Sequence, residues 1–206
     1  MSIAPAQILG SSPAAVVMVS MPEQLLKRLL EVRDVLMFSF DFEPLDEPMD
    51  ASAYGSPSPW LPSFPQLGSS VEVVARDALG GVYVSSALPA STAHCLHIDS
   101  SGQVALLGED LEPALALLVA LPYWRELLAQ SASLDVMRTQ AAELEREVCD
   151  DLPALPEARD FLAGFLALPQ LPDPVALLHE LASRAQPATL LGSQLDATSL
   201  WPRTEE

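Results

Sequence analysis

The fold is decided within residues 71–107, where the chain reads VEVVARDALGGVYVSSALPASTAHCLHIDSSGQVALL. Short apolar segments alternate here with turn signals. Asp77-Ala-Leu-Gly80 and Asp99-Ser-Ser-Gly102 each supply a glycine where a hairpin connection needs a positive φ. Four strands joined in this way predict an antiparallel meander. A strand–helix–strand alternation is missing from the sequence, which argues against a parallel sheet of the Rossmann type.

Helices are predicted on both sides of the meander. A single helix is expected over residues 20–38, with Ser20 and Glu23 as a capping box and Pro22 in its first turn. A second begins at Asp110 and runs to about residue 128, where Pro122 is expected to kink or split it. Further helix starts are marked by Ser133, Pro156 and Asp173. Apolar residues at helical spacing define the expected inner faces of these last helices: Val136, Ala141, Leu144, Val148, Phe161, Leu162, Phe165, Leu166, Leu177, Leu178 and Leu181.

These elements predict the fold class α+β, an antiparallel meander wrapped by helices. The meander domain is expected over residues 1–131. An α-helical extension is expected over residues 132–206, packed on or beside that domain, with a tail from about residue 192 in which Trp201 is a candidate anchor. A chain of 206 residues is long enough to bury one sizeable core.

Residues 41–66 have a different character. The first ten of them contain five acidic residues and no basic one: Asp41, Glu43, Asp46, Glu47 and Asp50. Four prolines follow within residues 57–65, so a long loop or an irregular extended segment is predicted, pinned to the body by Trp60 and Phe64. The acidic run has two interpretations. It is either solvated charge that keeps a leucine-rich protein in solution, or a surface that attracts a cationic protein.

The whole chain carries 28 acidic and 10 basic side chains, a net charge of −18, although half of its residues are hydrophobic. The hydrophobic content excludes a disordered acidic tail. The charge argues against binding to a nucleic-acid backbone or to an anionic membrane surface. The longest apolar run, residues 114–121, is too short to cross a bilayer. The apolar N-terminal stretch has no basic residue before it and contains Pro5 and Pro13, so we do not expect it to be a signal peptide. The protein is therefore expected to be cytoplasmic.

Candidate chemistry is sparse. Cys95, His97 and Asp99 alternate along a predicted strand, and these residue types suit zinc. A fourth ligand would have to come from elsewhere, and any half-buried strand alternates in the same way. His179 and Glu180 lie on a predicted helix without a second histidine at helical spacing, which favours a surface or interface histidine. We predict no cofactor, no metal and no catalytic residue.

Three segments resemble the SUKH superfamily, which includes bacterial immunity proteins and fungal regulators of cell-wall synthesis. Val73-Val-Ala-Arg-Asp-Ala-Leu-Gly-Gly-Val-Tyr-Val84 resembles its phe-ala-x-asp-x-x-gly-gly hairpin, with Val74 in the aromatic position. His97-Ile-Asp-Ser-Ser-Gly-Gln-Val-Ala-Leu-Leu-Gly108 is similar to its hydrophobic-asp-x-x-gly strand pair. Residues 111–121, leading into Pro122-Tyr-Trp124, are similar to the helix that closes that fold. The similarity covers residues 64–131, in the family's order.

The resemblance implies a domain that binds and blocks a protein partner without catalysis. For bacterial members that partner is often a toxin, frequently a nuclease, whose basic cleft suits an acidic inhibitor. We therefore expect a non-enzymatic immunity or regulatory protein that binds a cationic protein through the acidic run. Two alternatives stay open. One is an acidic secretion chaperone that dimerises and holds an effector, and the other is an enzyme with a cryptic site near His94, Cys95 and His97.

Overall fold

A five-stranded antiparallel sheet and seven helices make up the part of the chain that the computed structural model describes, residues 21–50, 71–87, 93–130 and 133–184. The predicted cap at Ser20, the proline-rich segment with Trp60 and Phe64, and the tail with Trp201 lie outside these ranges.

The strands follow one another in chain order across the sheet, and each pairs antiparallel with its neighbours. The predicted α+β class and the predicted meander are therefore confirmed. The strand bounds are β1 Glu43–Asp50, β2 Val71–Arg76, β3 Val82–Ala87, β4 Ala93–Ile98 and β5 Val104–Gly108. Every residue of β5 is buried, so both faces of this strand are covered.

The two tight hairpins of the meander share one construction. Gly80 and Gly102 have φ values of +86° and +88°, as their positions in the turns require. In both turns the preceding aspartate accepts backbone N–H groups with a single carboxylate oxygen. Asp77 accepts from residues two and four positions later, at 2.9 and 2.7 Å, and Asp99 does the same at 2.8 and 2.8 Å. The aspartates therefore close the turns.

Strand β1 corrects the sequence prediction, which placed residues 43–50 in a long loop or an irregular extended segment rather than in the sheet. This segment pairs with β2 at the edge of the sheet, from Glu43 opposite Arg76 to Asp50 opposite Glu72, with a register irregularity between Pro44 and Met49. Prolines and charges are tolerated on an edge strand, because one side of its backbone has no ladder to complete. The prediction was wrong because these residues were judged without that edge position.

The predicted helix over residues 20–38 is two helices, α1 Glu23–Glu31 and α2 Arg33–Phe40. They are separated at Val32, which has φ −116° and ψ 17°. Pro22 precedes α1 rather than lying within its first turn. The helix predicted from Asp110 is split around Pro122, as expected, into α3 Leu111–Ala120 and α4 Trp124–Gln130.

Three further helices complete the described chain: α5 Leu134–Asp151, α6 Leu155–Leu166 and α7 Pro174–Arg184. Their predicted starts are confirmed, and Ser133 and Asp173 cap α5 and α7. Most of the predicted inner-face residues are buried or half-buried. Val136 and Phe161 are exceptions, exposed by 45% and 50%, because the neighbouring Met137 and Leu162 occupy the core positions instead.

A continuous hydrophobic core joins the sheet to the helices that follow it. Helix α7 packs on β5, and α6 packs on α3 and α1. The large side chains at the centre of the core include Trp124, Tyr83, Phe40 and Phe42. None of the helices in the described ranges combines the length and the apolar character needed to span a membrane.

Candidate functional site

The carboxylate of Asp77, at the end of β2, lies inside the molecule. Its Oδ1 accepts the N–H groups of Leu79 and Gly81. Its Oδ2 lies 2.8 Å from His97 Nε2 on β4 and 3.0 Å from Arg125 Nη2 on α4. Both oxygens are thus satisfied, and one side chain ties the β2–β3 turn to a strand and to a helix. We call Asp77, His97 and Arg125 the buried cluster.

Arg125 extends the buried cluster to the end of α2. Its Nη1 donates to Asp41 Oδ2 at 2.8 Å, and its Nη2 to the Tyr83 hydroxyl at 3.1 Å. The guanidinium also lies over the Trp124 ring, 4.7 Å from its centroid. Asp41 itself caps α2 in the left-handed conformation, with φ 51°. The side chains of Arg125 and Asp41 are 26% and 32% exposed, so they form the solvent side of the cluster.

The imidazole of His97 is enclosed by aromatic rings. Its centroid lies 4.9 Å from that of Tyr83 and 5.1 Å from that of Trp124. Burial and the adjacent Arg125 charge lower the pKa of His97 below its usual 6.5, although Asp77 opposes the shift. His97 is therefore neutral, and its Nε2–H donates to Asp77. Among the described residues its buried Nδ1 has no hydrogen-bond partner, which also disfavours a second proton there.

Asp77 is the ionised member of the pair. Burial would raise the pKa of Asp77, but the hydrogen bonds from His97 and from Gly81 outweigh it and hold the pKa at about 2. Arg125 balances the resulting charge. The side chains of His97 and Asp77 are only 1% and 2% exposed, so their ring and carboxylate atoms face other protein groups. The geometry suits an internal connection rather than a site that receives a substrate.

The second glycine of the Gly-Gly pair is explained by the same cluster. A Cβ at Gly81 would overlap the carboxylate of Asp77 and lie 2.8 Å from His97 Nε2. Gly80 is needed for a different reason, its positive φ. The asp-x-x-gly-gly pattern of this hairpin therefore encodes a turn that has a buried carboxylate packed against its own backbone.

The residues considered for metal binding are placed separately. Cys95 and His97 are both buried in β4, and burial raises the pKa of the Cys95 thiol to about 12, so the thiol keeps its proton. Asp99 closes its own turn. In the described ranges, no three His, Cys, Asp or Glu side chains are grouped as metal ligands. His179 is half-buried on α7, and its neighbour Glu180 is exposed.

The five acidic residues of the predicted partner surface fall into two groups. Asp41 pairs with Arg125 of the buried cluster, and Glu43 is held by Arg76 at 2.6 Å and by Arg33 at 3.0 Å. The hydrogen bond from Arg76 is the main cause that lowers the pKa of Glu43. These two carboxylates are committed to contacts within the molecule.

The other three lie between the fourth residue of the edge strand and its end. Asp46 pairs with Arg33 at 2.8 Å, yet its side chain is 81% exposed. Glu47 is exposed, Asp50 is half-buried, and Met49 between them is 41% exposed. We call Asp46, Glu47, Met49 and Asp50 the β1 acidic surface. In the sequence of this paired strand, the apolar Met49 is flanked by acidic residues.

Sequence reasoning did not identify the buried cluster. Asp77 was interpreted only as a turn residue, and Tyr83 and Arg125 were given no role. The hairpin motif was the available signal, since it requires an aspartate and a second glycine together. Compared with known proteins, the chain matches no family model, no curated protein and no solved structure.

Proposed function

We propose that this chain is a non-enzymatic protein-binding module of the immunity or regulatory type. In this proposal it binds and blocks a cationic protein, and the β1 acidic surface takes part in the contact. The observation that carries the proposal is the position of Asp46, Glu47 and Met49 on an exposed edge strand, beside acidic residues already neutralised within the fold.

Electrostatics supports a cationic partner. A net charge of −18 produces a field that attracts basic proteins and raises their association rate. The exposed pair between Arg33 and Asp46 contributes only about 0–1 kcal/mol. Asp46 can therefore exchange Arg33 for a partner's cation at little cost. Glu43, held by two arginines, keeps the strand in place meanwhile.

The backbone of β1 favours recognition through side chains. Pro44 and Pro48 have no N–H to donate, and the strand is irregular between Pro44 and Met49. A partner strand added to this edge would find few donors. A basic surface with an apolar pocket for Met49 would fit better.

The resemblance to the SUKH superfamily supports the inhibitory role. Its hairpin pattern falls on Asp77, Gly80 and Gly81, which the fold uses together in one turn. The resemblance implies binding without catalysis. The buried cluster agrees with that role, because both oxygens of the Asp77 carboxylate are engaged with His97, Arg125 and the backbone.

The experiment places a photo-reactive amino acid at Glu47, or at the exposed Glu143 of α5 as the matched control, in the full chain expressed in the cells that encode it. We expect the Glu47 version to cross-link to a basic protein that the Glu143 version does not capture. That protein, once purified, should bind the wild-type chain and lose affinity for the Asp46→Lys, Glu47→Lys variant. Identical products from both positions would refute the proposed surface.

Two measurements distinguish an inhibitor from a secretion chaperone: the affinity for the denatured partner and the mass of the complex. An inhibitor is expected to bind a folded partner, whereas a secretion chaperone would bind an unfolded segment as a dimer. We expect the captured protein to lose its affinity when it is denatured. Retained affinity, together with two copies of this chain in the complex, would favour the chaperone.

A further inference from the structure

A second surface lies away from the strands, between α3 and α6. A groove of about 320 Å³ is enclosed by these helices and by the segment that leads to α7. Its apolar lining residues are Ala116, Val119, Ala120, Ala163, Leu168 and Leu171. The volume is at the lower end of the range of ligand pockets, roughly 300–1,000 Å³. We call this feature the α3/α6 groove.

The α3/α6 groove forms where small side chains of α3 and α6 face each other, while the long Arg159 side chain links the two helices. Arg159 of α6 donates from Nε to the carbonyl oxygen of Val119 on α3, at 3.0 Å. Its other nitrogens bind both oxygens of Glu145 on α5. The alanines at positions 116, 120 and 163 leave the space between the helices unfilled.

The charged residues that line the α3/α6 groove are Arg159 and Asp160, and Arg159 is already paired with Glu145. The hydrogen bonds from Arg159 hold the pKa of Glu145 at about 2, so the two form a neutralised ion pair. The remaining charged residue in the lining is Asp160, which is exposed, and Glu157 lies exposed one turn before it on α6. Neither carboxylate has an ion-pair partner within the described ranges. Phe161, 50% exposed, follows Asp160 directly.

A second copy of this chain is a poor occupant for such a groove, because two molecules of charge −18 repel one another. A segment that carries both apolar and basic residues satisfies both properties of the groove. Its apolar side chains would contact the alanines and leucines, and its cation would lie near Asp160.

We propose that the α3/α6 groove binds an apolar segment of the cationic partner, flanked by a lysine or arginine that pairs with Asp160. This inference rests on the proposed function for the charge of the partner, but it concerns a different surface from β1.

The test uses a synthetic amphipathic peptide of leucine and lysine, about 14 residues or four helical turns long. A twin peptide with glutamate in place of lysine is the control. Binding to the full chain is measured by fluorescence anisotropy, and the contact is mapped by amide chemical shifts. Two variants probe the groove, Ala163→Trp, which fills it, and Asp160→Asn, which removes its charge. Ala142→Trp and Glu147→Gln make the same changes at exposed positions of α5.

We expect the lysine peptide to shift resonances of α3, α6 and residues 168–171. Ala163→Trp should weaken its binding about tenfold, and Asp160→Asn about threefold. The controls distinguish binding in the groove from general attraction to an acidic protein. They are the variants Ala142→Trp and Glu147→Gln and the glutamate peptide. Equal binding by Ala163→Trp and Ala142→Trp would overturn the groove. Shifts confined to β1 would also overturn it, while leaving the proposed function intact. Shifts at the groove without any partner effect of the β1 substitutions would leave the groove and refute the β1 surface.

Discussion

The Asp77 carboxylate and the His97 imidazole, 20 residues apart in the chain, lie 2.8 Å from each other with both side chains almost fully buried. A hydrogen bond at this position joins the turn between β2 and β3 to the middle of the sheet. Arg125 supplies the counter-charge from α4. Breaking such a contact leaves a buried polar group unpaired, and this determines the stability predictions that follow.

Replacing the carboxylate of Asp77 tests the buried cluster. In the Asp77→Asn variant the amide would either leave His97 and Arg125 without an acceptor or direct its own N–H groups at them. We expect the free energy of unfolding, measured by urea titration, to fall by about 3 kcal/mol. Asp99→Asn is the matched control, since Asp99 closes the equivalent turn near the surface and asparagine can do the same. A comparable loss in both variants would show that the buried cluster adds nothing to the turn.

The two glycines Gly81 and Gly164 should respond in opposite ways to substitution by alanine. Gly81→Ala places a Cβ against Asp77 and His97 and should destabilise the fold by about 1–3 kcal/mol, as overpacking does. Gly164→Ala lies in the last turn of α6, where its Cβ would meet no atom of the described residues within 4 Å, and should stabilise the fold by about 0.5–1 kcal/mol. Thermal denaturation of the two variants checks both signs, and a tolerated Gly81→Ala would contradict the packing described here.

The neutral state of His97 predicts a loss of stability on mild acidification. Its folded pKa lies below 6.5, so between that pKa and pH 6.5 the unfolded chain binds more protons than the folded one. The contribution is complete above pH 6.5 and declines as the pH falls, by at most about 1.4 kcal/mol per pH unit. The His97→Gln variant, which keeps an N–H for Asp77, should lack this slope. An unchanged slope between wild type and variant would assign it to other groups.

A second loss is expected at lower pH from Asp77 and Glu145. The pKa of each is about 2 in the folded protein, below the usual values of 3.8 and 4.5. Their stabilisation is present above the usual values and is lost as the pH falls towards 2. Chemical denaturation at intervals between pH 5 and pH 2 measures it. Replacing Glu145 by glutamine should reduce the acid-dependent loss, and failure to do so would show that its pairing with Arg159 is not stabilising.

Sequence patterns were sufficient for the hairpins and for most helix starts. Gly80 and Gly102 supply the positive φ of their turns. Ser133 and Asp173 accept hydrogen bonds from the first backbone N–H groups of the helices that follow them. Neighbouring residues in the sequence therefore determine these features. The same local logic failed where position in the sheet decided the outcome. Pro44 and Pro48 indicate a loop unless the strand that contains them lies at an edge.

The buried cluster lay beyond local patterns because its members are far apart in the chain. Asp77, His97 and Arg125 come together only when the turn, β4 and α4 pack against one another. His97 was considered only together with Cys95 and Asp99, as a candidate zinc ligand, and Arg125 was given no role. The sequence could not separate the paired members of the acidic run from the exposed ones for the same reason. Only packing brings Arg76 to Glu43 and Arg125 to Asp41.

In the proposed function the β1 acidic surface attracts and holds a cationic protein. The most direct test of this contact is the association rate constant for the partner cross-linked at Glu47, measured at low and at physiological ionic strength. The variant is Asp46→Asn, Glu47→Gln, Asp50→Asn, and its matched control of equal charge is Glu143→Gln, Glu147→Gln, Asp150→Asn on α5.

We predict that the β1 variant associates about tenfold more slowly than the control at low ionic strength, and that its rate depends less on salt. Equal rates and equal salt dependence in the two variants would contradict the account.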